Sequence, residues 1–157
     1  MAADPFYQFA EMYVAGQFAA AGWNVYFPHR DDGFDFIVSK LIANHRWLVR
    51  PVQVKGKYIR TKATRVAYGY VGRLSQIHPE MVLAIPFFDH GDRSRPVCIA
   101  YIPRSQIRPT RRGYRCSPAN FVEERTQPRR DYRKFFDSDG LNALESPAWR
   151  KATTGKA

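Results

Sequence analysis

Two runs between residues 33 and 58, GFDFIVSKLI and RWLVRPVQVKGKY, are separated only by the polar tripeptide ANH. The first run alternates, with Phe34, Phe36 and Val38 on one side and Asp35, Ile37 and Ser39 on the other. Period-two alternation on either side of a short polar turn predicts an antiparallel hairpin. This constrains the fold strongly, because pairing fixes which side chains share a face. Gln53 and Lys55 stand two apart and share one face, while Val52 and Val54 take the other. The amide and the ammonium belong either to a solvated face or to a site. Pro51 lies just before the apolar end of the second run and reads as a bulge or an edge position.

The flanking segments supply a helix and further strands. DPFYQFAEMYVAGQFAAAGW has a candidate N-cap in Asp4, Pro5 at the first helical position, and apolar residues at three-to-four spacing. Its small residues Ala15, Gly16, Ala19 and Ala20 would let the helix approach a sheet closely, and Gly22 ends it. WNVYF is a short strand, and MVLAIPFFD and PVCIAYIP are buried strands. Residues 59–71 read as a strand or an exposed loop, RLSQIHPE as a short helical turn, and IPRSQIRP as a strand end followed by a brief helical turn. Residues 109–120 read as a loop and 121–145 as helical in patches, anchored by Phe135, Phe136, Leu141 and Leu144. The expected domain covers 1–145, with 146–157 a flexible tail. A helix, a hairpin-rich run of strands and a helical C-terminus make a single α/β or α+β domain.

The 157 residues, 45% of them hydrophobic, suit one packed core. The net charge is +11, and it is unevenly placed. Residues 1–45 carry a net −3, residues 46–79 hold eight Lys/Arg and no acid, and residues 104–134 carry a net +7. Basic blocks beside a small acidic group read as a polyanion-binding surface around something that needs carboxylates. The alternative is a basic surface with no partner. Cys98 and Cys116 form no CxxC pair, which argues against a zinc site, and Cys98 reads as a buried reduced thiol. With no long apolar run and no signal-peptide pattern, a cytoplasmic protein without a membrane span is expected.

The candidate chemistry lies in Glu11 on the first helix, Asp35 on one strand, and Gln53 with Lys55 on its partner. Two carboxylates and an amide oxygen are hard ligands that suit Mg²⁺. A lysine beside them would position a water and stabilise charge on a phosphate. The ordered set Glu11, Gly33-Phe34-Asp35 and Gln53-Val54-Lys55 resembles the PD-(D/E)xK nuclease superfamily over roughly residues 5–60. The chain departs from that pattern in carrying Gln53 in place of Glu and Phe34 in place of the proline before the motif Asp. The resemblance implies a restriction-endonuclease-like mixed central β-sheet flanked by helices. It also implies a Mg²⁺-dependent (or Mn²⁺-dependent) endonuclease acting on DNA, often as a homodimer. Glu11, Asp35 and Gln53 would hold the metal, and Lys55 would orient the attacking water. The uncharged Gln53 also admits a second reading, a nucleic-acid-binding module on the same fold that cleaves weakly or not at all. A third is an RNA-binding protein in which Glu11, Asp35 and Lys55 form only a buried ion-pair network.

The expected nucleic-acid contacts are Lys57, Arg60, Lys62, Arg65, Arg73, Arg111, Arg112, Arg115, Arg129 and Arg130, with Arg133 in the same basic block. Tyr58, Tyr68 and Tyr70 lie among the first of these, where they either stack on unpaired bases or pack on the sheet.

Overall fold

The computed structural model describes residues 5–59, 65–89 and 92–152. The chain runs α1 (Pro5–Ala20), β1 (Asn24–Tyr26), β2 (Phe36–Ile42), β3 (Arg46–Val54), β4 (Lys57–Tyr58), β5 (Arg65–Gly72), β6 (Val82–Phe88) and β7 (Cys98–Pro103). It continues through β8 (Arg108–Thr110), β9 (Gly113–Val122), β10 (Arg125–Pro128), a 3-10 turn (Arg130–Phe135), α2 (Asp137–Ala143) and a last 3-10 turn (Trp149–Lys151).

The helix forms where its apolar spacing predicts, and Ala10, Val14, Ala15 and Phe18 are its buried side. It ends at Gly22, whose φ of 87° suits a residue without a Cβ. The Trp23 N–H reaches back to the Phe18 carbonyl at 3.0 Å, closing a Schellman-type cap. Asp4, the expected N-cap, lies outside the described residues.

The expected antiparallel hairpin is present. β2 and β3 pair antiparallel, with Phe36 opposite Val52 and Val38 opposite Arg50. Phe36, Val38 and Val52 are fully buried, and Phe18 meets Phe36, Trp23 and Tyr101 edge-on at 5.5–6.1 Å. On the other face of the hairpin Ile37, Leu41, Trp47 and Val49 are exposed. β1 pairs with β2, β3 pairs parallel with β6, and β7 closes the far side of β6 antiparallel.

Two prolines sit inside this sheet, and hydrogen-bond direction explains both. The Lys55 N–H donates to the Ala84 carbonyl at 2.9 Å, so on β3 every second residue back from Lys55, including Pro51, aims its nitrogen toward β6. The β3–β6 ladder begins only at Val52, so Pro51 removes no bond. Pro86 has the larger effect. In a parallel ladder, the residue that donates to position 84 accepts from position 86. Pro86 has no N–H, and there the ladder breaks: β3 stops at Val54, and β4 resumes against Phe87 and Phe88. Lys55 and Gly56 occupy the gap.

Several expectations are corrected. The helices foreseen around the sheet reduce to α1 and the seven-residue α2. The other large element is a second, antiparallel sheet of β10, β9, β5 and β8. Residues 109–120, read as a loop, form most of the β8–β9 hairpin, because Gly113 at φ 146° permits the tight return after Arg111–Arg112. Residues 121–145, read as helical patches, begin with the end of β9 and with β10, and only then turn helical. RLSQIHPE is irregular rather than a helical turn.

Within the expected tail, Trp149 anchors the described residues 146–152 to the core. Trp149 is 1% exposed, its indole N–H donates to the Met81 carbonyl at 3.1 Å, and its ring lies edge-on to Phe135. Arg50 on β3 makes the matching contact. Its guanidinium, 1% exposed, donates to the carbonyls of Leu144 (2.8 Å) and Ser146 (2.9 Å), pairs with Glu80, and stands over the Trp149 ring. Burial lowers the Arg50 pKa below its ordinary value while Glu80 opposes the shift.

Removing one partner of a buried ion pair leaves the other uncompensated. Arg50→Ala should therefore lower the unfolding free energy by about 3–5 kcal/mol, measured by urea denaturation, and Trp149→Ala should cost a similar ~3–5 kcal/mol.

Candidate functional site

The site forms where β2 ends and β3 runs on. Asp35 stands just before β2, and its N–H still donates to the Val52 carbonyl at 2.9 Å. Its side chain then takes the place of the next ladder residue: the carboxylate accepts the Val54 N–H at 2.6 Å. This bond fixes Asp35 at the strand end. Glu11 projects from α1 to meet it, and the two carboxyl groups are hydrogen-bonded to each other. Burial raises the Glu11 pKa from 4.5 to about 7, reinforced by the charge and hydrogen bond of Asp35 and opposed by Lys55. Burial also raises Asp35 above its ordinary value, against the pull of the Val54 N–H and of Lys55. The pair therefore shares a proton, held mainly on Glu11.

Two clefts open on either side of this pair. One, of about 440 Å³, is lined by Tyr7, Glu11, Asp35, Val54, Lys55, Gly56 and Tyr70. The other, of about 250 Å³, is lined by Glu11, Asp35, Arg30, Asp31 and the Phe27–Pro28 corner, with Phe34. The Lys55 ammonium stands 5.7 Å from the Tyr70 ring centre, within cation–π reach. Among the described residues no salt bridge joins Lys55 to Asp35 or Glu11.

Glu11, Asp35 and Lys55 are thus brought together on one open cleft. Gln53 is not a lining residue of either cleft. It is 5% exposed, and its amide oxygen accepts no hydrogen bond among the described residues. A buried acceptor left unpaired costs ~1–3 kcal/mol, so Gln53 is an anomaly directly beneath the site. Asp31 is a site residue that the sequence reading passed over as part of a turn. Its charge raises both Glu11 and Asp35, while its own carboxylate accepts the Gly33 N–H at 3.1 Å. The adjacent acids in HRDDG are the signal that could have marked it.

The donor set fits Mg²⁺ in kind. Two adjoining carboxyls sharing one proton are relieved when a cation replaces that proton. Among the described residues no three His, Cys, Asp or Glu side chains converge into a metal-ligand group. An ion here would rest on Glu11 and Asp35 with uncharged oxygens completing its shell, as suits a cation that keeps several waters.

The expected nucleic-acid contacts spread over two regions. Lys57 is half-buried, with its ammonium 5.9 Å from the Tyr68 ring, and Arg73 is exposed. Arg111 and Arg112 are exposed at the β8–β9 tip, Arg115 is exposed on β9, Arg129 is half-buried, and Arg130 is exposed beside it. Arg60 and Lys62 lie outside the described residues, as does the side chain of Arg65. Of the three tyrosines, Tyr58 stacks on Phe88 at 4.7 Å, and Tyr68 packs against Phe87 with its hydroxyl on Thr126. Tyr70 lines the cleft beside Glu11, Asp35 and Lys55 and donates its hydroxyl to the Arg73 carbonyl at 2.6 Å.

In metal-free buffer the folded chain keeps the Glu11 proton up to about pH 7, whereas the unfolded chain loses it near 4.5. The folded state binds more protons across that window, so stability should fall as pH rises through it. Glu11→Gln, which does not titrate, should flatten the fall in thermal melts taken across this range. An unchanged slope would remove the carboxyl pair as its source.

No protein-family model matches the chain, and no curated protein matches it.

Proposed function

We propose that the chain is a metal-dependent endonuclease that hydrolyses phosphodiester bonds of DNA at the Glu11–Asp35–Lys55 cleft. The observation that carries this reading is the convergence of two proton-sharing carboxyls and an ammonium on one open cleft of a strongly basic chain. Glu11 and Asp35 would hold Mg²⁺, with Mn²⁺ as a substitute. When bound, the ion shields phosphate charge and lowers the pKa of water at the site. Lys55, whose backbone is anchored to Ala84, presents its ammonium to the cleft, where it orients a water and stabilises developing phosphate charge. Tyr7 and Tyr70 line the same cleft and offer apolar surface to a base or sugar. The PD-(D/E)xK resemblance supports the reading through the order of elements: a helix with Glu11, a strand entered at Asp35, and a strand leaving at Lys55.

A homodimer in the cytoplasm belongs to the same proposal. Supporting it are the exposed apolar face of Ile37, Leu41, Trp47 and Val49, and two cysteines that are free and buried. No described helix is long and apolar enough to cross a membrane.

Gln53 favours a second reading. Its amide is buried away from both clefts, so it lends the metal neither charge nor an open oxygen. A module that binds nucleic acid and cleaves weakly or not at all would keep this arrangement.

The two are separated by a Mg²⁺- or Mn²⁺-dependent cleavage assay on plasmid, single-stranded and branched DNA. The wild-type chain should cut, while Asp35→Ala and Lys55→Ala should still bind but cut at least ~10²-fold more slowly. A wild-type chain that binds and does not cut, like both variants, establishes the second reading.

A further inference from the structure

We propose that the cleft between the β8–β9 hairpin and the turn after β10 is a binding site for a phosphomonoester dianion. Its source is the terminal phosphate of a nucleic-acid strand or of a free nucleotide. The cleft measures about 440 Å³, and three guanidinium groups, from Arg108, Arg115 and Arg129, line it. Asp131 is the single carboxylate among its lining residues.

The arrangement is costly without an anion. Arg108 and Arg115 are directly opposite in the β8–β9 ladder, so both side chains leave the same face of the sheet. Like charges in that relation repel, and nothing in the packing of the hairpin demands two arginines there. Arg108 is exposed, and so are Pro109 and Thr110, the rest of β8.

The cations are also held in place. Ser117 accepts the Arg115 Nε–H on its hydroxyl at 3.3 Å and an Arg129 N–H on its carbonyl at 3.0 Å. The Arg129 guanidinium lies 5.3 Å from the Tyr132 ring centre and 3.7 Å from the Asp131 carboxylate. One residue, Ser117, thus tethers two guanidiniums while engaging a single N–H donor of each. The positive field reaches the buried Cys116 thiol at the edge of the cleft. Burial pushes that thiol up to about 12, and Arg129 and Arg108 pull against it.

Charge and shape select the ligand. Three guanidiniums against one carboxylate leave two positive charges. A phosphomonoester carries about −1.5 to −2 at neutral pH, whereas an internal phosphodiester carries a single negative charge. Planar guanidinium forks match phosphate oxygens in pairs. A concave cleft between a hairpin and a turn admits a chain end or a mononucleotide, while the side of a duplex is convex. Arg111 and Arg112, exposed at the hairpin tip, are the residues placed to meet such a duplex backbone. The site does not depend on cleavage at Glu11, Asp35 and Lys55, and it stands or falls separately from that reading.

The test is fluorescence anisotropy with the full chain in chelator-containing buffer, where metal-dependent cleavage is silent. The probes are one single-stranded oligonucleotide carrying a 5′-phosphate, a 3′-phosphate or neither, with a 5′-mononucleotide and inorganic phosphate as competitors. A terminal phosphate at one or both ends should tighten binding by about tenfold or more. Arg108→Gln and Arg115→Gln should each abolish that difference, whereas Arg111→Gln with Arg112→Gln should weaken all three oligonucleotides alike. Competition by the mononucleotide as strong as by the phosphorylated oligonucleotide assigns the site to free nucleotides; weaker competition assigns it to strand ends. Thermal melts at constant ionic strength guard against misfolding. Arg108→Gln should melt higher than wild type in chloride, and inorganic phosphate should raise the wild-type melt alone. Equal affinity for all three oligonucleotides, or a phosphate preference that survives both single substitutions, overturns the proposal.

Discussion

Pro86 has no N–H to give, and its place in β6 decides where β3 may pair. The ladder holds through Val54 and Ala84, fails opposite Pro86, and resumes at Lys57 and Phe87. The two residues in the gap are Lys55 and Gly56, which both line the larger of the two clefts beside Glu11 and Asp35. A continuous ladder would have carried Lys55 on as an ordinary strand residue, flush with its neighbours. The break instead leaves it anchored by its N–H and open on its carbonyl side. On the other edge of β3, the early end of β2 leaves the Val54 N–H to the Asp35 carboxylate. A site thus forms where two ladders stop two residues apart on β3, at Val54 for want of a donor and at Val52 for want of a strand.

Charge then divides into three roles that the sequence alone does not separate. Asp31, Asp35 and Glu11 gather at the cleft, where burial first, and neighbouring negative charge second, lets Glu11 keep its proton near neutrality. Arg50, from the first basic block, is wholly internal, and its hydrogen bonds go to backbone carbonyls and Glu80. The arginines of the second block divide again, between the exposed hairpin tip and the cleft organised by Ser117. A strongly basic composition therefore overstates the surface free to meet a polyanion.

What was legible in the chain follows from local rules. The 3.6-residue spacing of α1 and the alternation of β2 are intrinsic to the segments, so both elements and the pairing of Phe36 with Val52 could be read directly. The convergence of Glu11, Asp35 and Lys55 followed from that pairing and from the apolar side of α1; of Ala15, Gly16, Ala19 and Ala20, expected to bring the helix close, only Ala15 is buried. The β8–β9 hairpin was not legible, because Arg-Arg is no turn signature and the return depends on Gly113 alone. Arg50 and Trp149 were misjudged for another reason. Their burial is created by each other and by Glu80, which are distant in sequence, so neither carries a local sign of it. The fate of Gln53 was equally invisible: alternation places it on the face of Lys55, yet neighbouring packing buries it.

The Arg50 clamp also sets the order in which the molecule can assemble. Its acceptors Leu144 and Ser146 lie 94 and 96 residues downstream, and the Trp149 indole closes on Met81 across 68. Loops of that length close late, after local helices and hairpins have formed. During synthesis the β2–β3 hairpin can form early, but its cation lacks its carbonyl partners until residues 144–146 arrive. The strand that carries Lys55 is therefore held in its final place only by a segment about a hundred residues away, so the cleft takes its formed shape later than the hairpin that carries it.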